Sequence, residues 1–67
     1  MAEVKLNIRS LAAMKKISIE TLAKESGISP DHLMNVSAGR STFTAMDLAK
    51  LVAYTGVPVE HINVDEP

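Results

Sequence analysis

Between Gly27 and Arg40 the chain reads GISPDHLMNVSAGR, a stretch rich in side chains that can recognise another molecule. Asp31 accepts hydrogen bonds and carries charge, Asn35 both donates and accepts through its amide, and His32 does either according to its protonation state. These residues do not make a catalytic set. The two histidines, His32 and His61, fall in separate predicted helices of a chain with no cysteine, and neither has a carboxylate cluster near it in sequence. No metal site, general base or cofactor is therefore expected. Ser10, Ser26, Ser29 and Ser41 lie outside any nucleophile-elbow pattern, so capping and solvent exposure account for them better than catalysis. The chemistry on offer is recognition, not turnover.

The elements that must position these residues are marked by helix start and stop signals. Ser29-Pro30-Asp31 is the strongest start: a cap hydroxyl, a proline where no N–H is missed, and an acid near the positive pole of the helix. A helix is predicted from there to about residue 38, with Leu33 and Val36 inward and Gly39 ending it. The helix before it begins after Ser18, carries Leu22 and Ala23 inward, pairs Glu20 with Lys24 at i, i+4, and stops at Gly27. Ile28 plugs the short turn between them. Ahead of these, residues 5–15 set Ile8, Leu11 and Ala12 on one stripe. Beyond them, Thr44 and Asp47 form a capping-box variant opening a helix over 45–55, with Leu48, Leu51 and Val52 inward and Gly56 at its end. Residues 57–62 can supply a last turn or short fifth helix. No segment shows sustained apolar-polar alternation, so the expected fold is all-α, a compact bundle of about five short helices.

At 67 residues the chain is one domain, able to bury only about 60% of its unfolded surface. The 46% hydrophobic content and near-balanced charge favour an ordered globule. The lack of cysteine suits a reducing cytoplasm, and no apolar run has the roughly 20 residues that span a bilayer. Net charge is −1 and the basic residues are scattered, so any surface for a polyanion has to be local. The acidic residues 63–67 are expected to form a frayed tail.

IRSLAAMKKISIETLAKESGISPDHLMNVSAGR, followed by LAKLVAYTGV, resembles the Cro/repressor-type (XRE-like) helix-turn-helix family of bacterial and phage transcriptional regulators. The likeness runs from about Ile8 to Ile62 and rests on Ile8, Leu11, Ile17-Ser18, Leu22-Ala23, Gly27-Ile28-Ser29, Leu33, Val36, Gly39-Arg40, Leu48, Leu51, Gly56 and Val57. It implies a lambda repressor-like domain with its helix-turn-helix unit over about 18–38, binding double-stranded operator DNA in the cytoplasm of a bacterium. In that family the second helix of the unit lies in the major groove. Carried over by position, Ser29, Asp31, His32 and Asn35 would meet base edges, and Arg9, Ser18 and Arg40 would meet phosphate. Asn35 could pair bidentately with adenine.

Several positions depart from the family pattern. A frequent phosphate-binding glutamine is replaced by Ile19, which reads as an apolar staple, and Asp31 directs a carboxylate toward a polyanion, a cost unless it accepts from a cytosine amino group. An Arg–Glu pair found in some members is absent as a pair, its positions here being Ala12 and Ser37. Replacing both partners avoids a stranded buried charge. Tyr54, Val57, Val59 and Ile62 offer apolar surface for a homodimer, which would set two recognition helices about one DNA turn apart. The negative charge, Asp31 and Ile19 also admit an alternative: the same fold serving as a protein-binding module, of the antirepressor or antitoxin-partner kind.

Overall fold

The computed structural model describes residues 5–67. Local capping chemistry sets most of its helix boundaries. Helix α1, Ile8–Lys15, starts where the Asn7 side chain accepts the Ser10 N–H at 2.7 Å. It closes on Lys16, a non-glycine residue at φ 57°. Helix α2, Ile19–Ser26, starts where the Ser18 hydroxyl accepts the Thr21 N–H at 3.1 Å, and the expected Glu20–Lys24 pair forms at 3.0 Å. Helix α3, Pro30–Ser37, has Pro30 in its first turn as predicted, but the Ser29 hydroxyl makes no cap bond. Proline removes one orphan N–H, and the Ser29 carbonyl accepts from Leu33 N at 3.0 Å, so the helix starts without a side-chain cap. Helix α4, Ala45–Thr55, carries the full capping box: Thr44 Oγ1 accepts from Asp47 N at 3.1 Å and Asp47 Oδ2 accepts from Thr44 N at 3.0 Å.

Three expectations about the ends of the chain are corrected. The first helix begins at Ile8, not at residue 5, because Leu6 is extended and pairs with Ile62. Leu6 donates to the His61 carbonyl at 2.7 Å and its own carbonyl accepts from Asn63 N at 2.9 Å. The fifth helix is a single 3-10 turn, Val59–His61, so the described residues contain four α-helices, not five. Ile62 has to be extended (φ −98°, ψ 128°) to meet Leu6, which stops any further helical turn. Nor does the 63–67 segment fray. Asn63 Oδ1 accepts from Asp65 N and Glu66 N at 3.2 and 2.9 Å, and the Pro67 backbone oxygen accepts the Ile8 N–H at 2.6 Å.

The core is drawn from every element: Ile8, Leu11 and Ala12 of α1, Leu22 and Ala23 of α2, Ile28 from the turn, Leu33 and Val36 of α3, Leu51 of α4, and Val57 and Ile62 after it. Each large side chain buried this way is stabilising by about 1.5–3 kcal/mol relative to exposure. Leu48 and Val52, expected inside, are only half-buried. Ala23, fully buried, lies on α2, which makes its closest packing against α3. No helix of the described residues is long and apolar enough to cross a membrane.

Candidate nucleic-acid interface

The turn between α2 and α3 spans only Gly27, Ile28 and Ser29, and its geometry is held from both sides. Gly27 sits at φ +86°, a left-handed conformation that glycine adopts without the steric penalty of a Cβ. Ile28 donates to the Ala23 carbonyl at 2.8 Å while its side chain is buried. From α4, Lys50 Nζ donates to the Gly27 carbonyl at 2.9 Å, placing a cation at the negative end of α2. These restraints fix the direction in which α3 leaves the turn.

On α3, Leu33 and Val36 are buried, whereas Asp31 and Met34 are exposed, as is Ser29 just ahead of the helix. Asn35 is half-buried and its backbone carbonyl accepts from Arg40 N and Ser41 N at 2.8 and 3.3 Å. That bond brings exposed Arg40 back to the end of α3. Arg9, also exposed, shares with Asn7, Ser37, Ala38, Gly39 and residues 65–67 the lining of an open groove of about 380 Å³ at that end of α3. Ser18 is committed to capping, its hydroxyl also donating to Thr21 Oγ1 at 3.0 Å. Ile19 packs against the core as an apolar staple. At the positions of the absent Arg–Glu pair, Ala12 is buried and Ser37 half-buried, and no buried side-chain polar atom among the described residues lacks a partner.

His32, expected to meet a base edge, is half-buried and has a hydrogen-bond partner within the fold. Its Nε2 lies 2.7 Å from Asp47 Oδ2, tying α3 to the first turn of α4. Asp47 is the buried charged residue of the described chain, and the same Oδ2 that meets His32 also receives the Thr44 N–H. Burial raises its pKa, but the hydrogen bonds from the Thr44 backbone, His32 and the Thr44 hydroxyl, with the charge of His32, outweigh it and hold the carboxyl below its ordinary value. The sequence marks Asp47 only as a capping residue. A histidine fifteen positions upstream carries no periodic signal that would pair it with that acid.

The apolar residues expected at a dimer interface divide. Val57 and Ile62 are 7% and 1% exposed and belong to the protomer's own core, so they are not available to a second copy. Tyr54 is half-buried and engaged: its hydroxyl donates to Glu25 Oε1 at 3.1 Å, and Lys15 Nζ lies 5.1 Å from its ring centroid. Burial and the Glu25 carboxylate push its hydroxyl pKa up. Val59, at 46%, is exposed. Among the described residues no group of three or more His, Cys, Asp or Glu side chains is arranged to hold a metal ion. Comparison of the chain with protein-family models, curated proteins and solved structures finds no match.

Proposed function

We propose that α2, the Gly27–Ser29 turn and α3 form a helix-turn-helix unit and that the protein is a sequence-specific DNA-binding transcriptional regulator, with α3 in the major groove. The observation that carries this reading is the outer side of α3. The Asn35 side-chain amide has no intramolecular hydrogen bond among the described residues, and the exposed cations Arg40 and Arg9 both converge on the end of α3. A free amide on α3, with cations near the end of that helix, is suited to reading a base edge while the charges take phosphate. Asp31, near the start of α3, selects against phosphate and favours a cytosine amino group; His32 acts through its bond to Asp47, setting the position of α3. Binding requires no cofactor and no catalysis, and a homodimer on a pseudo-palindromic operator would use surface other than Val57 and Ile62.

The test is electrophoretic mobility shift against the upstream region of the protein's own gene, across a salt series with unlabelled competitor. A retarded band that survives non-specific competitor and weakens with salt supports the reading. No specific shift at low salt would remove it. A protein partner is the second reading, and one observation favours it: Met34, on the same helix, is 52% exposed beside Asp31, and flexible methionines suit protein surfaces. Co-purification of a partner with no DNA affinity would decide for that reading.

A further inference from the structure

We propose that residues 63–67 act as an intramolecular competitor for nucleic-acid phosphate at Arg9. The inference rests on the DNA-binding reading above and assigns a regulatory role to a segment that reading leaves unused. Helix α1 has no acidic residue in its first turn and carries Arg9 there, a cation near the positive pole of its own helix. Such an end attracts an anion. In this structure the acidic segment fills that role. The Pro67 backbone oxygen takes the Ile8 N–H at 2.6 Å, and Asp65 and Glu66 line the same groove as Arg9. Asn63, which accepts from both Asp65 N and Glu66 N, holds the two acids in a turn, and its N–H to the Leu6 carbonyl ties that turn to the start of α1. Arg9 makes no ion pair with either acid, so the segment biases the potential around Arg9 without neutralising it.

A phosphate held at Arg9 in this groove shares the space with two carboxylates, Asp65 and Glu66. The segment therefore lowers affinity for DNA and makes it depend on whether residues 63–67 are seated. Two unit charges acting through water at about 10 Å shift affinity roughly two- to five-fold, and the shift fades as salt shortens the Debye length.

The test compares wild type, Asp65→Asn/Glu66→Gln, Arg9→Gln and the triple variant by fluorescence anisotropy, using a labelled duplex of about 20 base pairs between about 25 and 300 mM salt. The double variant is expected to bind roughly two- to five-fold more tightly at low salt, with the gain lost in the Arg9→Gln background and at high salt. Equal affinity of double variant and wild type overturns the competition while leaving DNA binding intact. A gain that persists without Arg9 overturns it too, since it would report net charge alone. If no variant binds at the lowest salt, the DNA-binding reading itself falls and the competition with it. Hydrogen exchange of the Ile8 amide tests the contact without DNA: protection beyond that of a frayed helix end is expected, and exchange at the unprotected rate refutes the seating.

Discussion

Replacing Asp47 with alanine tests whether one carboxylate both caps α4 and holds α3. The substitution removes the acceptor of the Thr44 N–H and the partner of His32 in one step. Loss of a side-chain cap costs about 0.5–2 kcal/mol, and a hydrogen bond to a charged group contributes about 1.5–3 kcal/mol. His32 is about a third exposed, at 34% for its side chain, so solvent screens its share and the lower ends of these ranges apply. The expected loss is about 2 kcal/mol. For a domain of this size that lowers Tm by about 8–16 °C. Circular dichroism at 222 nm is the suitable probe, because the protein is helical and has no tryptophan. A double-mutant cycle with His32→Ala isolates the bridge between the helices, for which a coupling of about 0.5–1 kcal/mol is expected. Coupling below about 0.3 kcal/mol would show that His32 and Asp47 are neighbours without energetic consequence, and the account of how α3 is positioned would fail.

The same carboxylate gives a pH dependence. Its pKa is lowered on folding, so its stabilisation is fully present above the unfolded-state value and is lost as pH falls through the folded one. Urea midpoints of wild type and Asp47→Asn are expected to differ at neutral pH and to converge under acid; a constant gap would refute the linkage. The left-handed positions predict opposite signs: Gly27→Ala, at φ +86°, costs about 1–2 kcal/mol, whereas Lys16→Gly, at φ 57°, is neutral to stabilising by up to about 1 kcal/mol, both read by denaturant titration. On the proposed interface, Arg40→Ala is expected to weaken DNA binding uniformly and reduce the salt slope by about 1, while Asn35→Ala relaxes base preference by about 1–3 kcal/mol at one position. Identical behaviour of the two variants would overturn the division of labour between them.

The readable parts of this fold are those whose cause is local in the chain. Ser18, Pro30 and the Thr44/Asp47 box act on backbone groups within a turn of themselves, so their residue types announce the helices they start. Gly27 and Ile28 similarly disclose a short turn with an apolar plug. What stayed hidden depends on partners far away in sequence. Leu6 looks helical until Ile62 offers a pairing edge, and Val57 and Ile62 look like spare apolar surface until the bundle closes over them. His32 looks like a free groove-facing residue until α4 brings Asp47 to it. For the candidate site the position of α3 is legible, whereas which of its polar groups are already engaged is not.

The short pairing of Leu6 with Ile62 joins segments that lie near opposite ends of the chain. Closing a loop of that length costs on the order of 3–4 kcal/mol of chain entropy, set against two backbone hydrogen bonds and the burial of Ile62. That cost is reduced once the docked helices hold the two ends near each other, which couples the pairing to the packing of the bundle. Its opening detaches residues 63–67 from α1 while the contacts among α2, α3 and α4 persist, a sub-global event of the kind native-state hydrogen exchange resolves. Release of this latch exposes Ile62, so it draws on the core itself and not only on two backbone hydrogen bonds.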